Sequence, residues 1–256
     1  MDQAFAAGGG AGPRGFAGAL AEAALELLWP TRCAGCDQPG ELLCEECRAS
    51  LPWVDQRFAC PVCGAPFGWL TCTECDGAWE SRATVCALDF AGAGGVARLV
   101  ACALKDAHEL RLAPVMAAAM ATSLDEAAAL LAPDGAPRAD LAATDAICFV
   151  PATAKAFARR GFDHMEIVSR ELSRLTGVPL ADVLVRAAAG DQRALGREQR
   201  AENLAGSVGC VADVSGLALL LADDVVTTGA SMRECARALL ARGARSVTCC
   251  AFARVW

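Results

Sequence analysis

The chain has 256 residues, 55% of them hydrophobic, and a formal net charge of −7. That length and apolar content can bury one good-sized core plus a small appended module. The acid excess argues against a general nucleic-acid binder, because counterion release needs a surplus of Lys and Arg at the contact surface, so any DNA contact has to be local.

Residues 1–30 read as an N-terminal tail and helix. The Gly-rich start, Ala6 to Gly15, is expected to be disordered, and Phe16 to Trp29 has helical spacing with Glu22 and Glu26 inside it. Those charges argue against a signal peptide. Ala17, Leu20, Ala24, Leu27 and Leu28 form one apolar stripe, expected to pack on a neighbouring domain rather than a membrane. No apolar run reaches spanning length, so a cytoplasmic protein without membrane insertion is expected.

Residues 31–80 contain an internal repeat: Cys33-x-x-Cys36, Cys44-x-x-Cys47, Cys60-x-x-Cys63 and Cys72-x-x-Cys75. A two-residue gap lets both sulfurs of a knuckle reach one ion, and two knuckles complete a closed tetrahedral site, which is structural rather than catalytic. Seven residues separate the first two knuckles and eight the last two, so each copy can close its own Zn²⁺, although interleaved pairing also fits the spacing. Seven further cysteines scattered through apolar stretches fit reduced thiols better than a disulfide framework. Two structural Zn²⁺ ions are expected, without which this segment unfolds.

From residue 81 to 256 the pattern is that of one α/β domain. Thr84 to Phe90 predicts a strand, Ala91-Gly-Ala-Gly-Gly95 a turn, and Val96 to Leu104 and Leu110 to Leu131 Ala-rich helices. A polar connector, Pro133 to Thr144, leads to a buried strand from Ala146 to Val150. Asp163-x-x-Glu166 is a capping-box candidate for a helix ending at Gly177. Between that strand and helix lies a segment that reads as a loop, where Lys155, Arg159 and Arg160 bring positive charge to the strand end, suited either to a pyrophosphate leaving group or to an ordinary basic surface loop. Residues 186–203 carry Arg186, Gln192, Arg193, Arg197, Arg200 and Asn203 without a steady period and read as a mobile loop, with a solvated charged hairpin as the alternative. His108 and His164 are expected at the surface or in hydrogen bonds rather than in catalysis.

Leu217 to Ala222 is a continuous apolar run, suited to a strand buried on both faces, and it ends in Asp223-Asp-Val-Val-Thr-Thr-Gly-Ala-Ser231. Met232, Cys235, Ala236, Leu239 and Leu240 then recur at helical spacing, Gly243 marks a stop, and Val247 to Phe252 is apolar again. In such a unit the loop leaves the carboxyl end of a strand and feeds a helix whose free N–H groups favour an anion. Thr227 to Ser231 can wrap a phosphate, while carboxylates accept hydrogen bonds from hydroxyls. A ligand with both a ribose diol and a terminal phosphate satisfies both halves.

Residues 223–231 after an apolar strand resemble the 5-phosphoribosyl 1-pyrophosphate (PRPP) signature of type I phosphoribosyltransferases, with Ala222 smaller than the bulky residue usual there. The resemblance implies that Asp223 and Asp224, the catalytic pair, hold the ribose hydroxyls. It implies that Val226, Thr227, Thr228, Gly229, Ala230 and Ser231 hold the 5′-phosphate, and that Mg²⁺ accompanies PRPP. Val150-Pro151 followed by Arg160-Gly-Phe162, Trp29-Pro30-x-x-Cys33, Lys105 after an apolar helix, and Gln192-x-x-Leu195 with Arg200-x-x-Asn203 are together similar to the ComF family, phosphoribosyltransferase-like proteins with N-terminal zinc modules. Asp163-His164 stands where that family has Asn-Gln, and Lys105-Asp106 lacks the usual following aromatic or glycine.

The ComF resemblance implies a type I phosphoribosyltransferase fold, a parallel sheet flanked by helices, behind a double zinc ribbon. Lys105, Lys155, Arg159, Arg160 and Arg200 are then the pyrophosphate and loop residues, and PRPP and an unidentified nitrogen acceptor the substrates. Its alternative implication is a non-catalytic accessory role in handling single-stranded DNA during natural transformation. Single-stranded DNA, a competence helicase and a second copy of the chain are the further partners the family admits.

Overall fold

A computed structural model describes residues 30–75, 79–186 and 208–256. The helix expected over Phe16 to Trp29 and the segment with Gln192, Arg193, Arg197, Arg200 and Asn203 lie outside the described residues.

Residues 30–75 consist of turns around the cysteines and one short helix, α1 (Glu45–Ala49). There follow β1 (Ala83–Asp89), α2 (Val96–Asp106), α3 (Ala113–Ala128), β2 (Ala146–Phe149), α4 (Ala154–Arg160), α5 (His164–Thr176), β3 (Leu184–Arg186), β4 (Val208–Cys210), β5 (Ala218–Val226), α6 (Ala230–Ala241) and β6 (Ser246–Arg254). The strands β1-β6-β5-β2 form one sheet, every neighbouring pair parallel. The β3 and β4 strands, at the two ends of the segment read as a mobile loop, pair antiparallel.

A parallel sheet needs cover on both faces, and the apolar runs of β1, β2, β5 and β6 supply side chains to each. Leu220 and Ala222 of β5 point into a cluster with Val100 and Leu104 of α2, Met116 and Met120 of α3, and Val168 and Leu172 of α5. Leu219 and Leu221 point the other way, into a cluster with Met232, Cys235 and Leu239 of α6 and Leu184 and Val208 of the β3–β4 pair. Cys86, Cys148, Cys235, Cys249 and Cys250 are all buried in this domain, where burial pushes their thiols up, to about 12 at Cys86 and Cys235. Among the described residues no helix is long and apolar enough to cross a membrane.

Three local expectations change. The strand expected to stop at Ala222 continues through both acids to Val226, because β6 goes on pairing with it: Asp223 sits opposite Ala251 and Val226 opposite Arg254. The basic segment after β2 is a helix rather than a loop. Thr153 caps α4 by accepting from the Ala156 N–H at 3.2 Å, and Gly161 closes it at φ +79°. The capping box at α5 forms by half: Asp163 accepts from the Met165 N–H at 2.9 Å, but Glu166 pairs forward with Arg170.

Candidate functional site

The turn after β5 reverses at Gly229, whose φ of +76° starts α6 without a side-chain cap. The first-turn N–H groups of a helix have no partner within it, and here they open on a cleft of about 80 Å³ lined by Asp223, Val226 and residues 227–232. The sequence explains the shape: Gly229 takes a left-handed conformation, and Ala230 and Ser231 leave the backbone accessible.

Both acids lie within β5, so the alternation of the strand aims them at opposite faces of the sheet. Asp223 follows Leu219 and Leu221 toward the α6 side and lines the cleft with the turn. Asp224 follows Leu220 and Ala222 toward α2 and α5, where it is buried. Lys105 Nζ of α2 lies 2.8 Å from Asp224 Oδ2, and His164 Nε2 of α5 lies 2.6 Å from the same oxygen. Arg160 Nη1 donates to His164 Nδ1 at 3.1 Å. With Nδ1 accepting, Nε2–H is the donor to Asp224. Farther out, Arg159 Nη2 pairs with Asp106 Oδ1 at 3.0 Å. A second cleft of about 440 Å³ opens beside this chain of groups, lined by Lys105, Asp106, His108, Arg159 and Arg160.

These surroundings drive the two carboxyls apart. Burial opposes the ionisation of Asp224, but the hydrogen bond from His164 and the Lys105 ammonium outweigh it and hold the carboxyl well below the usual range. Asp223 is raised well above its ordinary value by burial first and by the Asp224 charge second. The pair thus carries one firmly ionised and one readily protonated acid. Asp224 has most of its acceptor positions taken, since Oδ1 also accepts the Val225 N–H at 2.6 Å.

Of the residues marked in the sequence, Asp223 and Val226 to Ser231 meet in one cleft, while Asp224 meets Lys105 directly and Arg160 through His164. Arg159 reaches the same cationic cleft, Lys155 is exposed on α4 and lines neither cleft, and Arg200 is outside the described residues. His164, expected at the surface or in hydrogen bonds, is buried and hydrogen-bonded to Asp224 of the acidic pair. Only its place at the first turn of a helix that follows a strand end points there.

The cysteines settle into two sets, Cys33, Cys36, Cys44, Cys47 and Cys60, Cys63, Cys72, Cys75, with the four sulfurs of each set within 4.8 Å of one another. Sequential pairing therefore holds and interleaving does not. Zn²⁺ with thiolates at about 2.3 Å in a tetrahedron requires sulfur–sulfur edges of about 3.8 Å. Cys36–Cys44 at 3.7 Å, Cys60–Cys75 at 3.8 Å and Cys63–Cys72 at 3.5 Å match that geometry. Backbone N–H groups of Gly35 and Cys44 point at Cys33 Sγ from 3.4 and 3.3 Å, the outer hydrogen bonds that favour a thiolate. The residues present fit two closed, structural zinc sites.

Residues 156–255 match the phosphoribosyl transferase domain family, and residues 24–76 match the double zinc ribbon domain family. The chain is similar to the DNA utilization protein YhgH of Salmonella typhi, 29% identical over 236 residues that cover 86% of this chain and 96% of that protein. It is also similar to the protein of the same name from Salmonella typhimurium strain LT2, 32% identical over 105 residues, 40% of this chain and 46% of the relative. The chain thus carries a double zinc ribbon followed by a phosphoribosyl transferase domain, and its similarity to the YhgH protein of Salmonella typhi runs over most of its length.

Proposed function

We propose that the protein binds PRPP with Mg²⁺ and transfers the phosphoribosyl group to a nitrogen acceptor. The observation that carries this reading is the continuity of β5 into α6: an acid on the wall of the cleft, then a bare helix N-terminus a few residues on. The 5′-phosphate binds to the N–H and hydroxyl groups of Thr227, Thr228, Ala230 and Ser231. Asp223 is the principal acceptor for the ribose diol, because it faces the cleft and has acceptor capacity to spare, while Asp224 offers one position on Oδ1. Lys105, Arg159 and Arg160 line the neighbouring cleft and stabilise charge developing on the departing pyrophosphate. Such a displacement at C1′ needs no protein nucleophile. Mg²⁺ suits a site of this kind, since it takes oxygen ligands, keeps several waters and demands few carboxylates; when bound with PRPP it neutralises pyrophosphate charge.

The test is calorimetric titration of the zinc-loaded protein with PRPP and Mg²⁺ beside the Asp223→Asn/Asp224→Asn double variant. Heat from the first and none from the second is expected. No heat from either overturns the reading and favours the alternative, a non-catalytic accessory role toward single-stranded DNA, for which the relative's name, DNA utilization protein, supports only the link to DNA.

A further inference from the structure

The second cysteine set lies directly behind the phosphate cradle. Arg254, the last residue of β6, is 2% exposed, and among the described residues it has no carboxylate partner. Its guanidinium donates to main-chain carbonyls on both sides of the junction. Nε reaches Cys63 O at 3.3 Å inside the zinc knuckle, and Nη1 reaches Val226 O at 3.3 Å as well as Thr227 O and Val255 O. Trp79 packs on Cys60, Cys63 and Ala65 and also on the core under α6. Its ring lies so close to Gly229 that a Cβ there would sit 2.1 Å from Trp79 Cη2. Glu80 continues the contact, accepting from Arg233 Nε at 3.1 Å and from Arg237.

We infer that Arg254 and Trp79 are positioning residues that tie the turn 226–231 to the Cys60/Cys63/Cys72/Cys75 centre, so that the metal held there fixes the cradle. A planar guanidinium can hold carbonyls from two separate segments at once, whereas an ammonium is a single point donor. The first cysteine set has another neighbour: Cys33, Leu43 and Cys47 join the cluster that holds Val96 and Leu104 of α2. Metal at that centre bears on the Lys105 helix and leaves the cradle alone.

The inference rests on the PRPP reading for the ligand's identity, but the tether can be read without any ligand. Hydrogen exchange of the full chain is measured for wild type, Arg254→Lys, Cys72→Ser and Cys36→Ser, with zinc content determined for each. Arg254→Lys is expected to keep both zinc ions and to speed exchange of the Arg233 and Val255 amides, which donate to Gly229 O and Val226 O at the two ends of the turn, about tenfold, while β2 and α5 stay protected. Cys72→Ser is expected to loosen the same amides and Cys36→Ser to leave them at wild-type rates. PRPP with Mg²⁺ should bind Arg254→Lys about tenfold more weakly than wild type, since a loosened cradle is a misplaced one. Unchanged protection of these two amides in Arg254→Lys overturns the tether, as does acceleration spread evenly over β2 and α5 or equal loosening by Cys36→Ser. Should Cys72→Ser fail to fold, Arg254→Lys decides alone. Wild type giving no heat with PRPP refutes the PRPP reading while the exchange data still decide the tether.

Discussion

Asp223 and Asp224 are adjacent in sequence, yet each meets a different environment because a strand alternates its side chains. The consequence is a stability that depends on pH through both. Asp224, depressed, contributes stability above its unfolded pKa of about 3.9 that is lost as pH falls below it. Asp223, raised, has the opposite sign: between its unfolded and folded pKa the native state holds a proton that the unfolded state releases, so stability falls as pH rises through that window. Asp223→Asn keeps an oxygen for the Asp224 N–H, which Asp223 Oδ1 accepts at 2.9 Å, and removes the buried ionisation. For the ligand-free, zinc-loaded protein we expect a Tm gain of about 2–4 °C at pH 8 that shrinks toward pH 4. A gain that does not vary with pH would refute this assignment. The acids were legible in the sequence and their separation was not. Asp224 owes its state to His164, 60 residues earlier, and to Lys105 on a third element, and no local pattern reports such meetings.

At the scale of elements, β5, its turn and α6 behave as one unit whose shape depends on Gly229. Substitution by Ala there forces a side chain into a left-handed backbone, at about 1–2 kcal/mol, and drives a Cβ against the Trp79 ring. Gly229→Ala should therefore lower unfolding free energy by at least that amount in denaturant titration and weaken PRPP binding. A variant as stable as wild type would mean that Trp79 does not occupy this place. The strand, turn and helix were readable because the apolar run, the glycine and the helical period agree locally. The α4 helix was not, since three basic residues in its seven positions mask any apolar stripe, and only the Thr153 cap and Gly161 stop mark its ends. The end of β5 was misjudged for a different reason: pairing with β6 carries the ladder past the point where apolar residues give out.

Across the whole molecule, the zinc ribbons are joined to the α/β domain by buried arginines that bond carbonyls instead of acids. Arg138, 2% exposed, donates from Nη1 to Gln56 O at 2.6 Å and to Ala59 O at 3.3 Å, and from Nε to Leu131 O at 3.1 Å. Arg254 does the same from the other side, to a residue 191 positions away. The cysteine spacing announced the modules, whereas nothing in it announced this seam, which exists only once the chain has folded back on itself. Because the ribbons have little core of their own, removing both ions with a strong chelator should unfold residues 31–75, read as loss of near-UV dichroism and rapid proteolysis within that segment. Dichroism and protease resistance left intact by complete zinc removal would contradict a metal-built module.

The five sulfurs buried in the α/β domain give the native protein a quiet background toward thiol reagents, since a thiol held protonated and dry is a poor nucleophile. Cys102 and Cys210 are half-buried, and the other eight sulfurs form the two four-sulfur sets. Mass added by an alkylating reagent beyond what Cys102 and Cys210 take up therefore becomes a tally of vacated metal positions, so the chain carries in its own cysteine distribution a gauge of how much zinc it holds.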